Sequence, residues 1–476
     1  MDIIKRILDI SNYRVQTYLK EQHIIPRPGA GAGVWMSFLL PISVIISANT
    51  SQNVTEVYKI AATLSYGLLA TSAIFLLSDS KNRQDKIFLI PPVFTYANLF
   101  FSNKIGIWFS MAGGFASYSL SEAVILLLDA SPKSLTYGEA SILIQSLILF
   151  LYTASINLVD SWYHTPVDCM GISTVILQVG LIGVLLICAG AYFFPDFRIP
   201  LPFCGLTLTT LFGFVIPLLH ILLQKSPVLW IIQLLFDNQP RVLLVIYWVI
   251  CSGLGVMTVA LQIGGKQQAS TVVRKNFHIL AVVVFIPGLI RECCFLYLAT
   301  GVVLALFTAL ELLRVLNMPL LGDMLQAGFK VFADEKDAGS LALTPIYLLA
   351  GCSLPLWLYP ASCMHESCIG QYLLPLMSGI LTIGIGDTAA SAFGTWIGRT
   401  KWRGTKKTIE GTIASIFFKF LPPSIGYITS STIMFVWSTF AVVVTSVLEA
   451  KTDQVDNLAL PLVMYILLLP LSSYFC

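Results

Sequence analysis

Apolar runs of bilayer length follow one another along the whole chain, broken only by short polar stretches. This spacing limits the fold more than any other feature. A run of about 20 predominantly apolar residues is long enough to cross the hydrocarbon core as a helix. The balance of residue types agrees: 56 % are hydrophobic and 11 % charged, whereas a soluble domain is about one quarter charged. The expected fold class is all-α, a polytopic integral membrane helical bundle with about 13–15 transmembrane helices. A soluble enzyme, a disordered chain and a nucleic-acid binder are excluded, because no basic domain exists and the net charge is only +3.

The expected spans are 34–48, 58–78, 87–103, 105–128, 140–160, 171–193, 201–223, 228–262 (broken), 277–290, 293–313, 341–359, 371–397, 411–429, 431–448 and 458–475. Before them, residues 1–33 mix charged and apolar positions. Ile3, Ile4, Ile7 and Leu8 recur at helical spacing beside Lys5, Arg6 and Asp9. That pattern reads as a cytosolic amphipathic segment on a membrane surface, or alternatively as a solvated tail. Arg27-Pro28-Gly29 ends any helix before the first span.

Lysine and arginine orient the spans, because cytosolic loops carry an excess of both. With the N-terminus cytosolic and sides alternating, 22 of the 28 fall on the cytosolic side and five on the other. Lys419 lies inside a span. The sequons at Asn49 and Asn53 fall on the non-cytosolic side, which agrees with this orientation. The ten cysteines form no CxxC pair, so neither a zinc site nor a disulfide scaffold is suggested. Cys363, His365 and Cys368 share one loop, but they are too few ligands for a metal site.

Ionisable residues are distributed unevenly. Up to about residue 262 they lie in the breaks, and 34–262 reads as a multi-span membrane region. After 263 polar clusters recur, always on the expected cytosolic side. Asp387 is the most informative, since it sits among glycines and small residues inside a span. A carboxylate at that depth is usually functional, although packing against a lysine or arginine would also account for it. The run Trp402, Arg403, Gly404, Thr405, Lys406, Lys407, Thr408, Ile409, Glu410, Gly411 and Thr412 has the composition of a phosphate site. Two lysines supply charge, threonines supply donors, and Gly404 and Gly411 permit tight turns. The N–H groups of a helix starting after Thr408 can hold an anion. No P-loop pattern occurs anywhere.

Nucleoside triphosphates arrive with Mg2+, which prefers carboxylate oxygens and keeps several waters. Asp387, Glu449 and Asp456 are the expected Mg2+ ligands. Asp334, Glu335 and Asp337 form a second candidate cluster, or a solvated loop. Arg274 and Lys275 precede His278, which suits a base or a phosphate contact but equally an interfacial histidine.

Taken together, these clusters resemble the dolichol kinase family of CTP-dependent polyprenol kinases. The match is strongest in GDTAASAFGTWIGRTKWRGTKKTIEGT, Gly386 to Thr412. VRKNFH at 273–278, DEKDAG at 334–339 and a glutamate separated by six residues from Asp-Asn, Glu449 to Asn457, also fit in order. Asp453 is an additional carboxylate in that last stretch and is assigned no ligand role.

The resemblance implies transfer of the γ-phosphate of CTP to the terminal hydroxyl of dolichol in the endoplasmic reticulum membrane. The product would be the lipid carrier for N-glycosylation, and the site would face the cytosol. It makes 263–476 the membrane-embedded kinase region. It carries a CTP-binding stretch onto Trp402 through Thr412 and on through Ile413, Ala414, Ser415, Ile416 and Phe417. Lys406 and Lys407 would bind phosphate oxygens. Asp387 would hold Mg2+ or accept the hydroxyl proton, while Glu449 and Asp456 would ligate metal or orient. Competing readings are a CTP-dependent kinase for another lipid alcohol, a phosphatidate cytidylyltransferase and a secondary transporter. The transporter fits poorly, because polarity is concentrated in one half and on one face rather than in two corresponding halves.

Overall fold

The computed structural model describes residues 2–51, 54–78, 86–264, 271–319, 321–333, 337, 339–360, 369–427 and 432–473. In chain order the helices are α1 (Asp2–Glu21), α2 (Leu39–Thr50), α3 (Glu56–Leu77), α4 (Ile90–Ala97), α5 (Ile107–Ala130), α6 (Tyr137–Tyr163) and α7 (Cys169–Phe193). Then come α8 (Pro200–Leu208), α9 (Ile216–Leu223), α10 (Pro227–Phe236), α11 (Gln239–Gly264), α12 (Thr271–Arg291), α13 (Cys293–Val315) and α14 (Leu321–Phe332). The last six are α15 (Thr344–Trp357), α16 (Ile369–Leu376), α17 (Thr388–Trp396), α18 (Ile409–Tyr427), α19 (Thr432–Lys451) and α20 (Asp456–Ser473). Among the described residues the only β-type pairing is a single bridge, Lys401 with Thr408.

The all-α membrane fold expected from the hydropathy pattern is therefore what forms. Nine helices among the described residues are long and apolar enough to cross a bilayer, and four shorter apolar helices accompany them. Several expected spans are interrupted rather than continuous. The run 371–397 becomes α16, a π-helical stretch Ile380–Asp387, and α17. Pro375 lies inside α16, where it removes one backbone donor from the helical ladder. Apolar composition cannot report such a change of winding, because residues 372–386 are all hydrophobic, hydroxyl-bearing or small.

The described chain divides into two compact units, and the division does not follow the expected boundary near 262. The first comprises Met1–Ile156, Glu335–Leu341 and Leu354–Cys476; the second comprises Asn157–Asp334 and Ala342–Ser353. The N-terminal 156 residues thus fold with the C-terminal segment. In the first unit α1 presents one face to the protein, and it is not the face led by Ile7 that the sequence suggests. It buries Ser11, Val15 and Leu19 at four-residue spacing and leaves Ile7, Ile10 and Tyr13 exposed. Tyr18 meets Phe75 edge-on at 6.1 Å, and the Arg14 guanidinium donates to the Leu77 carbonyl at 2.8 Å.

The second unit packs Ile172, Val175 and Val179 of α7 against Leu219, Leu222 and Leu298. A disulfide joins Cys169 at the start of α7 to Cys294 at the start of α13, and Cys293 is disulfide-bonded as well. The expectation of no disulfide framework is corrected here. The paired cysteines are 125 residues apart, so no local spacing announces them. A cross-link closing so long a loop restricts the unfolded chain and typically contributes about 2–4 kcal/mol. Replacing Cys169 and Cys294 together with serine should lower the thermal midpoint in detergent and abolish the mobility shift on reduction attributable to that bond. Non-reducing electrophoresis and a melting curve check both.

Candidate active site

The site is assembled in the first unit from four pieces of chain. The first is the π-helical stretch that ends at Asp387, whose side chain is 9 % exposed. A π-turn inside an otherwise α-helical segment commonly marks a functional position. Immediately before Asp387, a Cβ at Gly386 would collide with Cε of Lys419, so only glycine leaves room for that lysine.

The second piece is the loop between α17 and α18. It folds back as a tight hairpin: Ile409 N–H donates to Thr400 O at 2.8 Å and Trp402 N–H donates to Lys407 O at 3.0 Å. Gly404 turns the tip with φ +82°, a left-handed conformation that suits glycine. Gly411, expected as a second turn residue, has a different task. It lies within α18, where a Cβ would stand 2.6 Å from the Ala390 carbonyl, so it permits the close crossing of α17 and α18.

The base of the hairpin is fastened to the new helix. Thr400 N–H donates to the Glu410 carboxylate at 3.0 and 3.2 Å. Backbone N–H groups of Glu410 itself, Thr400 and Arg399 hold that carboxyl below its ordinary pKa. Thr408 Oγ1 accepts from Gly411 N–H at 3.2 Å as an N-cap. Two of the first-turn donors expected to bind an anion, Ile409 and Gly411, are therefore already engaged. Indole Nε1 of Trp402 donates to Thr412 Oγ1 at 2.9 Å, and the Lys451 ammonium lies 5.5 Å from the Trp402 ring centre. Arg403 and Lys406 are exposed at the tip, beside half-buried Thr405.

The third and fourth pieces are the C-terminal end of α19 and the start of α20. Lys407 Nζ donates to the Glu449 carbonyl at 2.6 Å and to Asp456 Oδ2 at 3.2 Å. Burial by itself would lower the Lys407 pKa. The carboxylates of Asp456, Glu449 and Asp387 outweigh that effect and raise it, so the ammonium stays charged. The Glu449 carboxylate accepts from Lys419 Nζ at 2.9 Å and from Ser415 Oγ at 3.3 Å. Lys419 also donates to Ser446 Oγ at 3.1 Å. The side chains of Lys419 and Glu449 are 0 % and 3 % exposed, which makes this a fully buried ion pair.

Asp387, Lys407, Glu449 and Asp456, all singled out in the sequence, are thus brought together, and Asn457 follows Asp456 in the first turn of α20. Within Trp402–Phe417, Thr412 and Ser415 point inward, whereas Ile413 and Phe417 are 61 % and 59 % exposed and face outward. Arg274, Lys275 and a buried His278 lie on α12 in the second unit. Asp337 lies in the described part of its loop, but Asp334 and Glu335 fall outside the described residues.

Lys419 was counted in the sequence only as a span lysine. The criterion that isolated Asp387, an ionisable group inside an apolar run, applies to it equally. Among the described residues no three His, Cys, Asp or Glu side chains converge as a ready-made metal site. Mg2+ does not need one, because it usually takes one or two carboxylates together with substrate phosphates. Asp387 and Asp456, which both act on Lys407, suit that requirement, whereas the Glu449 carboxylate is occupied by Lys419.

A family model described as dolichol kinase matches residues 120–416. Human dolichol kinase is 36 % identical over 364 residues, covering 72 % of this chain and 67 % of the human protein. The chain belongs to the dolichol kinase family. Dolichol kinase EVAN of Arabidopsis thaliana is 36 % identical over 256 residues, covering 52 % of this chain and 43 % of its own length. Dolichol kinase of Saccharomyces cerevisiae is 29 % identical over 205 residues, covering 43 % and 36 %. The family match starts at residue 120, well before 263, where the motifs alone placed the start of the resemblance. No solved structure matches the chain significantly.

The buried pair in this dolichol kinase family member gives a direct test. Lys419→Met strands a buried carboxylate and should destabilise the protein by about 3–5 kcal/mol. Adding Glu449→Gln removes the stranded charge and should recover most of that loss. Melting curves of the single and double variants measure both effects.

Proposed function

We propose that this protein is a dolichol kinase that transfers the γ-phosphate of CTP to the terminal hydroxyl of dolichol, forming dolichyl phosphate and CDP. Family membership is what carries the reading of the reaction. The convergence of Asp387, Lys407 and Asp456 at one partly exposed edge supports its location. The endoplasmic reticulum membrane is the proposed compartment, with the site on the cytosolic face. Two observations support that orientation. Lysine and arginine are concentrated on one side of the membrane. Cys169 and Cys294, which form a disulfide, both fall at span ends on the opposite side, where an oxidising lumen lets such bonds persist.

The reaction forms a bond from the dolichol oxygen to Pγ and breaks the bond from Pγ to the β–γ bridging oxygen. The hydroxyl proton leaves to a base, and CDP departs with the bonding pair. Transfer of this kind depends on placement and charge neutralisation more than on covalent chemistry. Lys406, exposed at the hairpin tip, is positioned to meet phosphate oxygens from solvent. Lys407 holds positive charge at the junction of the hairpin, α19 and α20. Asp387 and Asp456 would hold Mg2+, which neutralises charge on the phosphates. Asp387 alternatively accepts the hydroxyl proton, and its place in a membrane helix suits a lipid whose only polar end is that hydroxyl. Trp402 is held rigidly at the edge of the same loop by Thr412.

Three measurements test this reading. With γ-labelled nucleotide and dolichol, CTP should support transfer and give CDP, with ATP much poorer. Release of pyrophosphate would indicate cytidylyl transfer instead. Asp387→Asn should slow transfer by about 10²-fold or more at normal protein level, while exposed Glu56→Gln keeps full activity. Cysteines placed at 401–410 and 449–457 should label from the cytosolic side alone in sealed microsomes, and opposite labelling of the two would break the shared site.

A further inference from the structure

Three consecutive residues just before Asp456 are held by the N-terminal part of the chain. The Asp453 carboxylate accepts from Gly31 N–H at 2.6 Å. The Gln454 amide donates to Gly31 O at 3.1 Å and accepts from Thr136 Oγ1 at 2.8 Å. Val455 N–H donates to Glu139 Oε1 at 3.1 Å. The Val455 carbonyl in turn accepts from Leu458 and Ala459 N–H at 3.2 Å each, so it caps α20, whose first residue is Asp456.

Glu139 is the centre of this arrangement and is completely buried. With Thr136 it forms a capping box at the start of α6. Thr136 N–H donates to Glu139 Oε2 at 2.9 Å, and Glu139 N–H donates to Thr136 Oγ1 at 3.3 Å. A cap needs nothing further. Here the same carboxylate also receives the Arg27 guanidinium at 2.6 and 3.4 Å, from a side chain that is itself buried. The backbone on either side is fixed as well, since Arg27 N–H donates to Leu135 O and Lys133 N–H to Ile25 O, both at 2.8 Å. A buried ion pair is weak evidence for stability, because desolvation offsets its attraction. The surplus bonds are instead directed at the residue next to Asp456.

We propose that Glu139, oriented by Arg27 and extended by Thr136 and Gln454, is a positioning residue that sets where Asp456 stands against Lys407. The residues 22–33, read in the sequence as a surface segment and helix break, are then part of the catalytic framework. The inference rests on Asp456 belonging to the proposed site. Adjacent Cα atoms are rigidly spaced, so a displacement of Val455 carries Asp456 with it. A misplacement of about 1 Å at a reacting centre can lower the rate by about 10²-fold.

The test uses the full chain in detergent with CTP and dolichol, comparing Gln454→Met, Thr136→Val and Glu139→Gln with the natural protein. Hydrogen exchange is followed in parallel. Thr136→Val removes only uncharged side-chain bonds, and Gln454→Met also removes a bond of 2.8 Å to the Asp453 carboxylate, which keeps Gly31 N–H. Neither strands a buried charge, so they carry the test if Glu139→Gln fails to accumulate. We expect exchange in 449–457 to accelerate while α2 and α3 are unchanged. We also expect kcat to fall about 10-fold or more, with KM for dolichol within a factor of two. Variants that melt normally and keep either the natural exchange rate in 449–457 or the natural kcat overturn the proposal. If the natural protein itself transfers no phosphate from CTP to dolichol, the functional reading fails while the exchange result still judges the clamp.

Discussion

Two lysines and three carboxylates are gathered inside an apolar bundle, and the mutual neutralisation of these groups is the constraint on which the rest of the site depends. No single one of them would be stable there without the others. The pairs are graded by depth. Lys419 and Glu449 are 0 % and 3 % exposed, and they are enclosed by Ser415 and Ser446. Lys407 and Asp456 are 39 % and 14 % exposed. The deep pair is sealed and therefore permanent. The shallow pair is reached by solvent and can change partners. In the proposed reaction the Lys407 ammonium holds positive charge among Asp387, Glu449 and Asp456 where a nucleotide with its metal brings both signs together.

The hairpin and the helix crossing follow from the same constraint. Lys407 reaches α19 and α20 only because the loop after α17 doubles back, turned at Gly404 and fastened by Glu410 to Thr400. Lys419 reaches Glu449 only because Gly386 has no side chain. Small residues here serve charged ones. Gly386 allows a long cation to lie against the backbone beside Asp387, so its contribution is electrostatic as much as steric.

The fold class was legible because hydropathy reports burial in lipid directly, residue by residue. Asp387, Lys407, Glu449 and Asp456 were legible for the converse reason, as ionisable groups near apolar runs. What the sequence concealed has one common character, namely dependence on distant partners. The π-helical winding at 380–387 leaves no periodic trace in a stretch that is apolar or small on every side up to Asp387. The Cys169–Cys294 bond spans 125 positions. Lys419 looked like a stray charge in a span until Glu449 was placed beside it. Gly411 looked like a turn because its packing partner, the Ala390 carbonyl, is on another helix. The density of polar clusters says nothing of compactness, which follows contacts, and these join residues 1–156 to the C-terminal segment.

That joining has a physical reason. The segment between α19 and α20 is only four residues long, Thr452–Val455, and sets where Asp456 stands at the start of α20. So short a connection has few internal bonds with which to fix itself. Its shape must come from outside, and loops at an interface have water on one side. The N-terminal segment supplies what water cannot, a set of donors and acceptors whose own positions are fixed. The Glu139 carboxylate is fixed twice, by its cap on α6 and by Arg27. A residue that begins as a local helix cap thereby becomes a long-range anchor, since each carboxylate oxygen still has a lone pair to offer after the cap is made. In this way about a third of the chain, carrying no ligand-binding motif of its own, contributes to the site through the accuracy with which it holds one short turn.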